Sequence, residues 1–189
     1  MIRRFLDVVG STILILLLLP LYLIIGVILK LSQKGPLLFI QERIGKHGKP
    51  FNIYKFRSMK LNSEIDGHPK LTSANDNRLT TAGKILRKHH LDELPQLWNV
   101  LIGDMSFVGP RPERQYYINK IMEHNPRYEE LYQVRPGLTS YATLFNGYTD
   151  TMDKMLKRLE SDLNYLDHQS LLTDMKIILQ TVKRMIIGE

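Results

Sequence analysis

The chain has 189 residues, 43% of them apolar, so it can form one compact domain with an additional apolar segment. Its 26 Lys and Arg against 19 Asp and Glu give a formal net charge of +7. This excess suits a polyanionic partner such as nucleic acid, an anionic lipid surface or a nucleotide diphosphate. The absence of Cys excludes disulfides and thiolate metal sites, and it fits a reducing compartment.

An apolar segment of membrane length lies close to the N-terminus. Residues 8–29 are 22 consecutive residues without a formal charge. Arg3 and Arg4 precede this segment, and Lys30 and Lys34 follow it, so the positive-inside rule favours neither end crossing the membrane. No small-residue cleavage site follows the segment, and we therefore expect it to stay attached to the rest of the chain.

Pro20 lies near the middle of this apolar segment. A proline there removes one backbone N–H, frees the carbonyl of Leu16 and bends a helix. Two arrangements follow, namely a re-entrant helix that breaks and returns to the same face, or a single span with a mild kink. We divide the chain into an N-terminal anchor of residues 1–34 and a second domain of residues 35–189.

The first part of the second domain predicts extended structure followed by short helices. Two apolar runs within residues 37–59 are separated by Gly and Pro, which predicts a short hairpin or two extended pieces. Residues 61–77 are polar and rich in turn formers, and we expect a mobile surface loop. Helical spacing returns at residues 83–87 and again at residues 91–101, ending before Gly103.

The second part predicts an ordered loop and then mostly helix. Residues 104–112 (DMSFVGPRP) hold too many Pro and Gly for regular structure but also apolar residues, so a partly buried loop is expected. Residues 116–130 and 156–165 have helical spacing, and residues 135–137 indicate a turn. The predicted fold class is therefore mainly α with a short β-hairpin (α+β).

The chain closes on an amphipathic helix. The helix has an apolar stripe and carries its charges elsewhere. This stripe either packs on the domain core or lies in the bilayer interface, and both alternatives are left open. The stripe consists of Leu171, Met175, Ile178, Val182 and Met185.

Adjacent carboxylates stand at the start of an apolar helix in residues 91–97 (LDELPQL). Because proline is tolerated only in the first helical turn, Pro95 predicts a helix that begins near Asp92. Such an end offers free backbone N–H groups that attract carboxylate and phosphate alike. The simplest alternative is that Asp92 caps the helix and Glu93 complements its dipole.

Several cations occur among apolar and turn residues around this carboxylate pair. Arg111 is held between two prolines, and its planar guanidinium can bind two phosphate oxygens. Taken together these cations indicate a recessed anion site, and hence phosphate chemistry at a membrane. They are Lys55, Arg57, Arg87, Lys88 and Arg111.

At these residues the chain closely resembles the bacterial sugar transferases known as monotopic phosphoglycosyl transferases, in the short form with little beyond the catalytic domain. The resemblance covers nearly the whole chain, in six ordered blocks at residues 41–45, 54–59, 76–80, 91–101, 103–112 and 134–139. It implies transfer of a phospho-sugar from a UDP-sugar to polyprenyl (undecaprenyl) phosphate, with release of UMP, as the first membrane step of a bacterial glycan pathway.

The resemblance also implies roles for individual residues. Asp92 would be the nucleophile that forms a phosphosugar-enzyme intermediate, and Glu93 would assist in metal positioning or proton handling. Both would bind Mg²⁺, the required ion, which prefers carboxylate and phosphate oxygens. Five cations would contact the substrates: Lys55, Arg57, Arg87, Arg111 and Arg135.

The family anchors itself by a re-entrant membrane helix, so the resemblance favours that arrangement here. It implies a small cytoplasmic catalytic domain with interfacial amphipathic helices, at the cytoplasmic face of the bacterial inner membrane and in contact with inner-membrane lipid. The family usually breaks this helix with Ser-Pro, whereas this chain has Leu19-Pro20. His89 and His90 are interpreted as local variation rather than metal ligands, because Mg²⁺ disfavours imidazole.

Two other classes of function compete with the transferase. A membrane-bound scaffold could retain the fold without catalysis, although the intact Asp92, Glu93 and Arg111 argue against it. Nucleic-acid binding is disfavoured because the chain has no recognisable module with interleaved basic and aromatic residues. Contact with anionic lipid explains the basic charge more simply. The transferred sugar, the glycan pathway and a homo-oligomeric state are left open.

Overall fold

The computed structural model describes residues 1–61, 63, 76–146 and 149–188. In these residues helices predominate over two small sheets, which confirms the mainly helical α+β class. The elements are α1 Ile2–Leu17, α2 Leu19–Ser32, β1 Leu38–Ile44, β2 Pro50–Phe56, α3 Thr81–Lys88, α4 Gln96–Ile102, β3 Ser106–Val108, α5 Gln115–His124, β4 Gly137–Thr139, α6 Tyr141–Asn146, α7 Met152–Asp167 and α8 Leu171–Ile187.

The N-terminal apolar segment forms two helices that meet at Leu18 and are bent by 58°. In the part of the chain described here, no single helix is long and apolar enough to cross a membrane, whereas the bent pair taken together is. The break precedes the proline, because Pro20 is the second residue of α2, a first-turn position that does not need its N–H. Pro20 therefore starts a second helix instead of bending a continuous one.

A polar side of α1 contacts the rest of the chain. Arg4 donates hydrogen bonds to the carbonyls of Val100 (2.6 Å) and Leu101 (2.7 Å), at the C-terminal end of α4, where helical carbonyls need donors. Asp7, which is buried, accepts hydrogen bonds from the backbone N–H of Phe107 (3.0 Å) and the hydroxyl of Ser106. The helix α1 is therefore docked on α4 and β3 through polar groups.

The opposite sides of α1 and α2 leave many large apolar side chains exposed. A continuous exposed apolar surface of this kind is unusual for a soluble monomer and marks a surface that contacts lipid or another apolar partner. The exposed residues are Ile2, Phe5, Leu6, Val9, Ile13, Leu16, Leu17, Leu19, Leu23, Ile24, Val27, Ile28 and Leu31.

The predicted hairpin is confirmed. Strand β1 pairs with β2 in antiparallel register from Leu38 opposite Phe56 to Ile44 opposite Pro50. Because side chains alternate along a strand, Ile53 and Lys55 share one face of β2 while Phe56 lies on the other. Ile53 packs in a core with residues of α4, and Phe56 packs in a core with residues of α2 and α3, so β2 is fixed on both faces.

Strands β3 and β4 form a second, parallel sheet where the sequence predicted a loop and a turn. Ser106 pairs with Gly137, and Val108 pairs with Thr139. Gly109 and Gly137 permit this approach, since a Cβ on Gly137 would lie 2.2 Å from the backbone nitrogen of Gly109. The close approach fixes the backbone directly before Pro110.

The main core lies between α5, the 3-10 segment Pro126–Gln133 and α7. The helix predicted over residues 116–130 is divided there, because α5 ends at His124 and the 3-10 segment begins at Pro126. The helix predicted over residues 156–165 lies within α7. The buried side chains are Ile44, Tyr117, Ile118, Ile121, Tyr128, Leu131, Met155, Leu159 and Leu163.

Helix α8 packs through one face and exposes apolar residues on another. Ile177 is buried in a core with Val108, and Ile178 packs partly against the same core. Of the predicted stripe, Ile178 and Met185 contact core residues, whereas Leu171, Met175 and Val182 are exposed. The predicted stripe is therefore only partly packed on the core. The predicted surface loop at residues 61–77 falls mainly on residues 62 and 64–75, outside the described residues.

Candidate active site

The carboxylate pair lies on a 3-10 turn, Leu91–Glu93, between α3 and α4. His90, before the turn, has a left-handed backbone conformation (φ 52°), which is uncommon for a residue with a Cβ and lets the chain reverse sharply after α3. The expectation that the helix begins near Asp92 is corrected, since α4 begins at Gln96 with Pro95 as its N-cap. Asp92 and Glu93 thus precede the helix by one short turn.

Glu93 binds two cations through one oxygen. Its Oε1 accepts hydrogen bonds from Lys55 Nζ (2.6 Å) and from Arg111 Nη2 (2.7 Å). Burial acts to raise the pKa of Glu93, but the charges and hydrogen bonds of Arg111 and Lys55 outweigh it and hold the pKa well below 4.5. Glu93 is therefore anionic at neutral pH, and it fixes the positions of two predicted substrate-binding cations.

Asp92 lies beside this ion cluster in a different electrostatic setting. The residue is 5% exposed, and burial together with the neighbouring charge of Glu93 raises its pKa above 3.8. Arg87 Nε lies 3.8 Å from Asp92 Oδ2, too far for a hydrogen bond. The two carboxyl groups are thus distinguished by their surroundings, with Glu93 neutralised by close cations and Asp92 only weakly compensated.

Two further predicted cations border the same cleft. Arg87 Nε donates to the hydroxyl of Ser58 (3.1 Å), which holds the guanidinium near Asp92. Arg57 is buried, and its Nη2 donates to the carbonyl of Lys34 at the end of the anchor (2.6 Å). Over the residues that the structure describes, Arg57 Nε and Nη1 are buried and have no hydrogen-bond partner.

Arg135 is the one predicted cation placed elsewhere. Its Nε donates to the carbonyl of Gly103 (2.7 Å), the residue that ends α4. Asp92, Glu93, Lys55, Arg57, Arg87 and Arg111 all line the cleft, whereas Arg135 is not among its lining residues. The structure thus gives Arg135 a contact at the end of a helix and does not bring it to the carboxylate pair.

A buried carboxylate that sequence reasoning missed lies beside the backbone of Arg111. The backbone N–H groups of Arg111 and Ala142 act to lower the pKa of Asp162, on α7. It is 1% exposed, and burial raises its pKa to about 7 against the opposing effect of Arg158. No periodicity distinguishes Asp162 from a surface residue of an amphipathic helix, so only the tertiary structure identifies it.

A buried ion cluster continues from the Arg111 loop into the core. Glu113 Oε1 binds Arg43 Nη1 (2.5 Å), and Glu113 Oε2 binds Arg158 Nη2 (2.7 Å). Burial acts to raise the pKa of Glu113, but Arg43 and Arg158 outweigh it and lower the pKa to about 2. This cluster joins β1, the Arg111 loop and α7, and it was also not predicted.

Replacing Glu113 by Gln is expected to lower the free energy of unfolding by about 3–5 kcal/mol, because two buried guanidinium groups lose their counter-charge. The folded-state pKa of about 2 lies below the ordinary 4.5, so this stabilisation is present above pH 4.5 and is lost as the pH falls toward 2. Thermal and acid unfolding measure both effects. Glu130→Gln, in an exposed pair with Arg127, is the matched control and should change neither.

The cleft has a volume of about 1770 Å³ and combines charged and apolar walls. The ion cluster around Glu93 lies in it. Apolar side chains from the anchor and the hairpin line the cleft together with apolar residues of other elements, so the anchor contributes to its lining. The anchor and hairpin residues are Leu14, Leu18, Leu38, Phe39 and Ile40.

The residues present fit a Mg²⁺ ion that is completed by substrate oxygens. Within the described part of the chain, no group of three or more Asp, Glu or His side chains is arranged to hold a metal. Mg²⁺ commonly binds through one or two carboxylates together with substrate phosphates, and adjacent carboxylates suit that mode. Because Glu93 Oε1 is already bound by two cations, Asp92 is the better placed ligand.

The sequence matches the family described as bacterial sugar transferase over residues 1–188. It is 40% identical over 187 residues to an Aeromonas hydrophila UDP-N-acetylgalactosamine-undecaprenyl-phosphate N-acetylgalactosaminephosphotransferase, covering 99% of this chain and 44% of that protein. It is 44% identical over 184 residues to a Caulobacter vibrioides UDP-glucose:undecaprenyl-phosphate glucose-1-phosphate transferase, covering 95% of this chain and 68% of that protein.

A third relative is similar in length to this chain. The exopolysaccharide production protein PSS of Rhizobium leguminosarum bv. phaseoli is 40% identical over 187 residues, which are 96% of this chain and 93% of that protein. The chain therefore spans less than half of the Aeromonas relative but nearly all of the Rhizobium one.

Proposed function

Since this chain belongs to the bacterial sugar transferase family, we propose that it transfers a sugar phosphate from a UDP-sugar to undecaprenyl phosphate and releases UMP. The observation that carries the proposal is the buried Asp92 beside a Glu93 that is bound by Lys55 and Arg111. A carboxylate among fixed cations suits chemistry at a diphosphate. The relatives named for both substrates support the same reaction.

The proposed reaction proceeds in two displacements at Asp92. A carboxylate oxygen of Asp92 attacks the sugar-linked phosphorus of the UDP-sugar, and the bond from that phosphorus to the bridging oxygen of UMP breaks. UMP leaves with the electron pair, and the phosphosugar remains on Asp92. A phosphate oxygen of undecaprenyl phosphate then attacks the same phosphorus and displaces the carboxylate, so that one difficult exchange between anions becomes two steps.

The cations and Glu93 have separate tasks in this mechanism. Lys55 and Arg111 stabilise the charge that develops on the transferring phosphoryl group, and Arg87 lies next to the attacking carboxylate. Glu93 keeps the two cations in place and remains anionic, which argues against a role as proton carrier. Mg²⁺, bound by Asp92 with Glu93 beside it, would offset the repulsion between the carboxylate and the diphosphate.

The arrangement of the anchor supports a re-entrant helix pair at the cytoplasmic face. At about 1.5 Å per residue, α1 and α2 are each shorter than the roughly 30 Å hydrocarbon core. Near one end of the pair Arg3 binds Asp174 of α8 (2.9 Å), and just beyond the other end Lys34 contacts Arg57. Both ends thus contact the same domain, which supports the proposal that they lie on one side of the membrane.

Exposed apolar residues elsewhere on the domain support contact with lipid beside the anchor. Trp98 and Ile102 are exposed on α4, the helix on which α1 docks. Exposed apolar side chains also follow one face of α8, and an amphipathic helix of this kind binds the interface between headgroups and acyl chains. On α8 they are Leu172, Met175, Leu179, Val182 and Ile186.

Purified protein with undecaprenyl phosphate, Mg²⁺ and a panel of UDP-sugars is expected to release UMP with at least one donor. UDP-N-acetylgalactosamine and UDP-glucose head the panel, because the relatives are named for these donors. Chelator should abolish UMP release and added Mg²⁺ should restore it, whereas undiminished turnover in excess chelator would reject the metal role. Absence of UMP release with every donor would favour a scaffold that retains the fold without catalysis.

Cysteines introduced at residues 2 and 36 test the anchor in a chain that contains none. Ile2 and Pro36 are both exposed, and the re-entrant arrangement places both on the cytoplasmic side. An impermeant thiol reagent added from the periplasm should therefore label neither Ile2→Cys nor Pro36→Cys until the membrane is permeabilised. Labelling of one site in intact cells while the other stays protected would establish a single span.

A further inference from the structure

A tyrosine of the anchor hydrogen-bonds to the turn that carries the carboxylate pair. The hydroxyl of Tyr22, on α2, donates a hydrogen bond of 2.7 Å to the carbonyl of Leu94. Leu94 directly follows Glu93 in the chain, so this bond joins the anchor to the peptide next to the pair. The contact bridges 72 residues of sequence.

The turn itself is weakly held by its own backbone. The N–H of Glu93 lies 3.2 Å from the carbonyl of His90, and the N–H of Leu94 lies 3.3 Å from the carbonyl of Leu91. Both distances are at or beyond the long end for such bonds, as is usual for 3-10 geometry. His90 adds an uncommon left-handed conformation. The position of this turn therefore depends on contacts from other elements.

Apolar side chains of α2 pack against the turn, but this packing does not fix the orientation of the turn. Leu94 is 8% exposed and shares a core with Ile25 and Leu29 of α2, and the Tyr22 ring lies against Phe56 with centroids 5.7 Å apart. Apolar contact is non-directional. A hydrogen bond from the Tyr22 hydroxyl fixes one atom, the carbonyl oxygen of Leu94, which also accepts from the N–H of Leu97 (3.0 Å).

We infer that Tyr22 is a positioning residue, through which the membrane anchor holds Asp92 and Glu93 in register with Lys55 and Arg111. The inference rests on the proposed function and adds that the anchor orients the reacting carboxylate besides attaching the domain to lipid. Losing the hydroxyl lets the turn shift against β2 and the Arg111 loop. Small misplacement of a reacting group lowers the rate of chemistry more than it lowers substrate binding.

The test is Tyr22→Phe in the full chain, which keeps the ring and removes only the hydroxyl. We expect kcat for UMP release to fall about three- to ten-fold, the range for one neutral hydrogen bond. The KM for the UDP-sugar should stay within about two-fold, because no cation of the cleft is altered. Tyr116→Phe makes the same change on an exposed ring of α5 and should leave kcat unchanged.

Rates are normalised to the folded fraction, measured by thermal unfolding of each variant in the same lipid. A fall in rate that vanishes after this normalisation, or that appears in KM alone, assigns Tyr22 to stability or binding and overturns the inference. An unchanged kcat overturns it as well. Wild-type UMP release tests the proposed function separately, so a wild-type protein that turns over and a Tyr22→Phe variant that equals it reject only the positioning role.

Discussion

Asp92→Asn is expected to abolish both turnover and the phosphosugar adduct, because a neutral amide cannot serve as the carboxylate nucleophile. The wild-type rate should also depend on the protonation of Asp92, since only the carboxylate attacks. Burial and the charge of Glu93 raise the pKa of Asp92 above 3.8 in the protein without Mg²⁺, whereas a Mg²⁺ ion bound to this carboxylate would lower it. The positive charges of Lys55 and Arg87 also act to lower the pKa of Asp92.

Intact-protein mass spectrometry of enzyme given UDP-sugar without acceptor measures the adduct directly. The wild type should release about one UMP per site and gain the mass of one phosphosugar, whereas Asp92→Asn should do neither. Glu93→Gln should slow turnover severely and keep the attachment site. Asp153→Asn, on the exposed first turn of α7, is the matched control. Near wild-type turnover of Asp92→Asn, with kinetics of a ternary complex, would show the assignment to be wrong.

The features that the sequence predicted well are those set by neighbouring residues. The hairpin of β1 and β2 follows from two apolar runs separated by Gly and Pro, and helices α3, α7 and α8 follow from their apolar spacing. The carboxylate pair stood out because Pro95 restricts where a helix can begin. The same rule located the helix start only approximately, since α4 begins after the proline and the pair lies on a separate turn.

The features that escaped prediction depend on partners distant in the chain. Strands β3 and β4 have three residues each, too few for a periodic pattern, and their pairing depends on the close approach of Gly109 and Gly137. Asp162 and Glu113 look like ordinary charges of helical or loop segments. Their roles appear only when the fold sets Asp162 against the Arg111 backbone and places Glu113 between two arginines.

The sequence also could not show which of the predicted cations lie at the carboxylate pair. In the sequence, Arg111 and Arg135 are alike, since each lies next to a proline in a motif shared with the family. In the structure, Arg111 contacts Glu93 while Arg135 binds the carbonyl that ends α4. Charge and neighbouring residues cannot distinguish the two positions, because the direction of a long side chain is decided by tertiary contacts.

Arg111→Ala is expected to lower kcat/KM by about 100- to 1,000-fold, the usual effect of removing a preorganised donor to a transition state. The guanidinium is the stronger of the two cations on Glu93 for phosphate binding, because its planar fork can bind two oxygens where Lys55 offers a point charge. Arg111→Lys keeps the charge but loses the fork, and its rate should lie between those of alanine and wild type. UMP release under subsaturating donor measures all three.

Removing Arg111 also leaves Glu93 with one cation fewer, so a double-mutant cycle is needed to separate direct from indirect effects. If Arg111 acts on the phosphoryl group, Arg111→Ala should slow the Glu93→Gln enzyme further, by at least about ten-fold. If Arg111 merely holds Glu93, the double variant should be no slower than Glu93→Gln alone, and the assignment of Arg111 to the substrate would be refuted. Arg127→Ala removes an exposed arginine from the same kind of ion pair, and it should leave the rate unchanged.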